Sequence, residues 1–152
     1  MPDWVLKLHI PFFILSYLLL LGSAVTGILF IIQERRIKRH EVLGVPQGWP
    51  SLEAMERGIY RMILASFPLL TCGILFGAHW ASHTRGRFWG WDPAETFSLI
   101  TWIIYALYLG LRGVSGWRGR RSTYLALAGF GIILVSLVAL FFSPLHATKG
   151  PV

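Results

Sequence analysis

Residues 86–96 read Gly86-Arg87-Phe88-Trp89-Gly90-Trp91-Asp92-Pro93-Ala94-Glu95-Thr96, a short polar stretch between two long apolar runs. Upstream, residues 62–84 contain no Asp, Glu, Lys or Arg. Downstream, apolar sequence starts at Pro93 and holds to about Gly110, ahead of Arg112. A bilayer crossing takes about 20 such residues, so the stretch is the turn between two membrane-spanning helices. Its second half predicts a helix start. Asp92 suits the N-cap, Pro93 the first helical position, and Glu95 the third, where a carboxylate meets the helix's positive end. Its first half predicts a loop bearing aromatic plates. Trp89 and Trp91 lie two apart, and Gly90 between them lets the backbone approach whatever those rings cover. Tryptophan has a flat apolar face and one N–H donor, so the loop reads either as a set of interfacial anchors or as the seat of a large flat ligand.

The remaining sequence repeats the alternation. Residues 8–33 are also free of charged side chains, with His9 and Pro11 at their leading end. Pro11 is tolerable in a first turn. Gly22, Ser23, Ala24 and Gly27 in mid-span suit close helix packing. A basic stop, Glu34-Arg35-Arg36-Ile37-Lys38-Arg39-His40, comes next, then a loop punctuated by Gly44, Pro46, Gly48 and Pro50. Ser51 is placed to cap an amphipathic lead-in from Leu52 to Arg61. A second basic loop carries Arg112, Arg118, Arg120 and Arg121, and a final apolar run ends at Ser143-Pro144-Leu145-His146. The expected fold is all-α: a polytopic membrane protein whose single domain, residues 1–152, has four transmembrane helices at about 9–33, 60–83, 93–111 and 122–143.

Composition agrees. Of the 152 residues, 55% are hydrophobic, and the mean hydropathy is +0.59. That exceeds what a water-soluble domain of this size carries on its surface. A net charge of +7 therefore reads as a basic cytoplasmic face and not as a nucleic-acid interface. Arg35, Arg36, Lys38, Arg39, Arg57 and Arg61 flank the first loop, and Arg112, Arg118, Arg120 and Arg121 the third. The other side carries Lys7, Arg85, Arg87 and Lys149. The positive-inside rule puts the first and third loops in the cytoplasm. The N-terminus, the tryptophan loop and the C-terminus then lie outside a cytoplasmic (inner) membrane. No cleavable signal peptide is expected, because Asp3 stands near the start and the first apolar run is too long. The one cysteine, Cys72, excludes an internal disulfide and a CxxCH haem attachment, and is expected to be a small buried hydrophobe.

This topology places His9, His79, His83 and His146 at the outer ends of the spans and leaves His40 alone in the basic stop. Each of the four is either an interfacial residue with a polar tip or a ligand to a metal. Asp92 and Glu95 make a poor acid–base dyad, and no hydrolytic nucleophile stands nearby.

Read with the helix that follows, Arg87-Phe88-Trp89-Gly90-Trp91-Asp92-Pro93-Ala94-Glu95-Thr96 … Leu99-Ile100-Thr101-Trp102 resembles the tryptophan-rich WWD signature of haem-handling proteins of cytochrome c biogenesis. It is most similar to the CcsA/ResC branch of system II, and more distantly to CcmF and CcmC. The segment Leu8-His9-Ile10-Pro11 … Ser16-Tyr17 … Gln33-Glu34-Arg35-Arg36-Ile37-Lys38 looks like the CcsA helix preceding the signature, whose leading histidine is an external axial ligand. Ser143-Pro144-Leu145-His146 is similar to the element that carries the other external ligand. The resemblance thus implies one haem b held by His9 and His146, with His79 and His83 in reserve. It implies a haem face built from Arg87, Phe88, Trp89, Trp91 and Asp92 together with Trp80. Arg87 or Arg85 would pair with a propionate, since guanidinium matches carboxylate in a fork. It also implies presentation of haem to apocytochrome c outside the membrane, as part of a haem lyase or synthase, beside a CcsB/ResB-like partner and further membrane subunits.

The resemblance covers the carboxy-terminal core of a typical CcsA, which has more amino-terminal spans. Three positions depart from the family pattern. Arg85 stands where the signature usually has tryptophan, and Ala94 replaces the usual lysine. Gly110, in Tyr105-Ala106-Leu107-Tyr108-Leu109-Gly110-Leu111-Arg112, replaces a histidine that helps hold haem within the membrane. Two rival readings follow: a haem b electron-transfer subunit of a respiratory complex that retains its haem, and a haem-free structural subunit.

Overall fold

The computed structural model describes residues 3–39 and 48–147, with side chains as far as Phe142. His40 lies outside the described residues, and His146 outside those with described side chains. Four helices account for nearly all of it: α1 (Trp4–Lys38), α2 (Leu52–Thr84), α3 (Pro93–Val114) and α4 (Arg120–Ala147). All four are long and apolar enough to cross a membrane. Among the described residues there is no strand.

The helices overrun the expected spans. α1 has 35 residues and α2 has 33, about 50 Å each at 1.5 Å per residue. The lead-in from Leu52 is continuous with the second span. Ser51 starts it as expected, its Oγ accepting from the Ala54 N–H at 3.1 Å. Because α1 already begins at Trp4, Pro11 lies in its interior and not in its first turn; Pro68 is likewise inside α2. Neighbouring helices make such prolines tolerable in a membrane bundle.

The bundle runs up, down, up, down, with each helix beside the next and α4 closing against α1. Small residues set the close approaches, since lipid offers no hydrophobic drive for helices to associate. A methyl added at Gly27 would lie 3.3 Å from Thr123 and Leu127 of α4, and one at Gly129 would lie 2.7 Å from the Tyr105 ring. Leu20, Ile59, Ile63, Tyr105, Tyr108, Ala126 and Ile133 form a buried core drawn from all four helices. Three hydrogen bonds cross it: Ser16 Oγ to Ser66 O at 3.3 Å, Trp102 Nε1 to Thr71 Oγ1 at 2.9 Å, and Tyr105 OH to Ala126 O at 3.2 Å. Only 17–33% of the most apolar window of each helix is buried within the chain. The rest needs an apolar solvent, which a bilayer supplies.

The two ends of the bundle differ. At the end away from the tryptophan loop, the Arg112 guanidinium donates to Glu56 Oε1 at 2.7 Å and lies 4.3 Å from the Tyr60 ring centroid. Both charged side chains are largely buried, at 9% and 13% exposure. Glu34 accepts from Arg120 Nε at 2.6 Å and also pairs with Lys38 at 3.5 Å. These contacts tie α2 to α3 and α1 to α4. At the other end the helices part around a cavity.

Candidate functional site

The tryptophan loop is held from both sides. Asp92 occupies the N-cap position of α3, but its carboxylate makes no capping bond. It pairs instead with the Arg85 guanidinium. The chain turns back through Gly86, at φ 73°, and Trp91, at φ 57°, which brings residues 85 and 92 together. Trp91 in the left-handed region costs about 1–3 kcal/mol, tolerated only where surrounding contacts enforce it. One such contact is Glu95. Its Oε2 accepts from the Gly90 N–H at 2.7 Å, so this helix-start carboxylate anchors the loop. Gly90 does permit a close approach, but by Arg87: an added methyl would lie 2.9 Å from Arg87 Nε.

Below the loop lies a cavity of about 840 Å³, within the ~300–1,000 Å³ usual for ligand and cofactor sites. Leu6, His9, Phe13 and Tyr17 line it from α1; Gly77, Trp80 and Ala81 from α2; Phe97 and Ser98 from α3; and Ser136, Ala139 and Leu140 from α4. Arg85, Arg87, Trp89 and Asp92 close its loop side. The wall is mostly apolar, with the polar groups gathered near the loop.

Several expected site residues therefore converge: His9, Trp80, Arg87, Trp89 and Asp92. Trp89 and Trp91 meet edge to face, with centroids 5.9 Å apart. Trp89 turns inward, whereas Trp91 and Phe88 are 68% and 55% exposed and do not line the cavity. His79 and His83 also lie outside it. Both are exposed, one turn apart on α2, with ring centroids 4.6 Å apart. The α2 residue that faces the cavity there is Trp80. Cys72 is partly and not fully buried. Gly110 lies on the exposed side of α3, and an added methyl there meets nothing within 4 Å.

Two groups were not legible beforehand. The indole N–H of Trp89 is buried with no partner among the described residues. His9 Nδ1 lies 2.8 Å from Gly73 O across the helix interface. No three His, Cys, Asp or Glu side chains among the described residues form a metal cluster. A porphyrin supplies four donors itself and needs only one or two from protein, so this bears on other metal sites and not on haem.

Residues 1–146 match the family model described as Cytochrome C assembly protein. The chain belongs to this family. It is 34% identical to the cytochrome c biogenesis protein CcsA of Guillardia theta, covering 92% of this chain and 51% of the relative. It is 36% identical to that of Chlamydomonas reinhardtii, covering 86% of this chain and 36% of the relative. It is 46% identical to that of Synechococcus sp. (strain JA-2-3B'a(2-13)), over 65% of this chain and 29% of the relative. The chain thus spans between about a third and a half of these curated relatives. No solved structure matches it. Family membership and four spanning helices together make this cytochrome c assembly protein a multi-pass membrane protein.

Proposed function

We propose that the chain is a haem-binding membrane subunit of cytochrome c assembly, which presents haem b at the outer membrane face for attachment to apocytochrome c. The observation that carries this reading is the cavity, where His9, Trp80, Arg87 and Trp89 converge from separate elements on one mostly apolar space.

The residues present fit a haem. The buried Trp89 N–H lacks an acceptor. Arg87 pairs with no carboxylate among the described residues. Two unpaired donors beside an apolar wall match an amphipathic dianion such as a porphyrin with two propionates. His9 supplies an imidazole on the cavity wall. Position 146 follows Ala139 by seven residues, two turns further along α4 toward the loop end. We assign His9 and His146 as the residues that would hold the iron.

Haem, when bound, supplies the iron and the two vinyl groups that accept the thiols of a CxxCH segment. The chain's residues do the rest. Trp80 and Trp89 would cover the ring and exclude water. Arg87 would hold a propionate. Arg85 and Asp92 fix the loop that carries Arg87 and Trp89. Trp91 and Phe88, facing outward, are placed to meet an incoming polypeptide. By the positive-inside rule this face is the periplasmic or outer one, the basic end is cytoplasmic, and a CcsB/ResB-like subunit completes the machinery.

A second reading draws on Gly110. The family histidine there would stand on the exposed side of α3, away from the cavity, and this chain lacks it. A chain without that second station fits a retained haem used for electron transfer. Optical spectra of the purified protein, oxidised and dithionite-reduced, beside His9→Ala and His146→Ala, test the site. A six-coordinate low-spin spectrum altered in both variants is expected. No haem band in the wild type would leave a haem-free membrane subunit. Complementation of a cytochrome c maturation defect then separates delivery from electron transfer.

A further inference from the structure

The α2 face that meets His9 carries glycine at both positions where a side chain would intrude. Gly73 O lies 2.8 Å from His9 Nδ1. One turn on, a methyl added at Gly77 would lie 2.8 Å from His9 Cε1 and 3.1 Å from Nδ1. A methyl added at Gly73 would lie 2.7 Å from Cδ2 of Phe13, whose ring abuts the imidazole with centroids 4.7 Å apart. The imidazole is thus bounded by a carbonyl at Nδ1, by the bare Gly77 backbone along its edge, and by the Phe13 ring.

A carbonyl oxygen has no proton to give, so the contact at Gly73 assigns the ring proton to Nδ1. In the neutral imidazole the free lone pair then falls on Nε2. A hydrogen bond from the distal ring nitrogen is what fixes tautomer and orientation in metal-ligating histidines. Glycine in a helix interior is destabilising relative to alanine, so its presence calls for a local reason. At Gly58, on the same helix, an added methyl meets nothing within 4 Å. Gly73 and Gly77 differ from it in having an aromatic ring where the methyl would go.

We infer that Gly73 and Gly77 are positioning residues for His9: their missing side chains admit the imidazole to the Gly73 carbonyl, fix the Nδ1-protonated tautomer and leave Nε2 as the nitrogen offered to the iron. The inference rests on His9 being a haem ligand.

The test uses the full chain purified with haem, as wild type, His9→Ala, Gly77→Ala and Gly58→Ala. The readouts are the ferric low-spin electron paramagnetic resonance signal, the midpoint potential and haem retention. Gly77→Ala should shift the signal and the potential and weaken retention about 10–100-fold, the range for removing an outer-shell partner. Gly58→Ala should match wild type in all three. If His9→Ala changes the spectrum but Gly77→Ala keeps the wild-type signal and potential, the positioning role is wrong and the ligand assignment stands. If His9→Ala changes nothing, both fall. Should Gly77→Ala fail to accumulate, Gly73→Ala and Gly73→Ala/Phe13→Leu decide. A shifted signal restored in the double variant supports the cradle, and wild-type signals in both overturn it.

Discussion

Arg85 and Asp92, seven residues apart, form an ion pair across the base of the tryptophan loop. It converts a stretch with two left-handed residues into a closed ring over the cavity. The partner of Arg85 is the residue at the N-cap position of α3, whose carboxylate makes no capping bond.

The pair is half exposed, so its loss should cost little global stability, under about 1 kcal/mol. Its effect belongs to the loop. Arg85→Ala and Asp92→Asn should keep wild-type helicity and melting in detergent but release haem faster. Wild-type retention should also weaken at high salt, where exposed charges are screened. Haem transfer to an apoprotein acceptor, timed at low and high salt, measures both. Variants that retain haem as long as wild type would remove the latch from the account.

Trp89→Phe keeps an aromatic face but removes the five-membered ring with its orphaned N–H. Losing a buried unsatisfied donor relieves its desolvation cost, which offsets part of the packing lost with the smaller ring. The melting temperature without haem should therefore change little, while haem content falls. A parallel drop in both would mean that the indole N–H serves packing alone.

The histidines separate by location. His9→Ala should convert the low-spin spectrum to a high-spin or haem-free one. His79→Ala and His83→Ala, outside the cavity, should leave it unchanged. Reduced-minus-oxidised difference spectra of the three variants decide. A change in either His79 or His83 variant would reinstate the reserve ligands.

The Glu56–Arg112 pair at the opposite end is a stability element. Breaking a largely buried pair by removing one partner costs about 3–5 kcal/mol, whereas removing both is far milder. Glu56→Gln or Arg112→Leu should lower the yield and melting temperature sharply. Glu56→Leu/Arg112→Leu should recover much of the loss. The haem spectrum of whatever folds should match wild type in every case, since this pair is remote from the cavity.

The four spans were legible because membrane helices write themselves as charge-free runs. The starts at Leu52 and Pro93 were legible from their caps, but the extension of α1 through Trp4–Lys7 and the continuity of the Leu52–Arg61 lead-in with the second span were not, because polar side chains there sit on helix that need not be in hydrocarbon. The family resemblance points to the loop, His9, Arg87 and Trp89, and the fold brings these to one cavity. Asp92 holds the N-cap position of α3 as local sequence predicts, but the backbone reversal at Gly86 and Trp91 brings its carboxylate to Arg85 in place of the helix amides. Inward Trp89 and outward Trp91 look equivalent in sequence, because the φ of 57° that separates them follows from contacts such as Glu95 to Gly90. Nothing in the sequence singles out Gly73 and Gly77, whose part comes only from the packing of α1 against them.

Along α1, the residues lining the cavity run from Leu6 to Tyr17, about 16 Å of helix, roughly half of a ~30 Å hydrocarbon core. Whatever fills it therefore belongs to one leaflet. On the proposed function, a polypeptide meeting the exposed Trp91 would reach such an occupant from the loop side, without crossing the bilayer midplane.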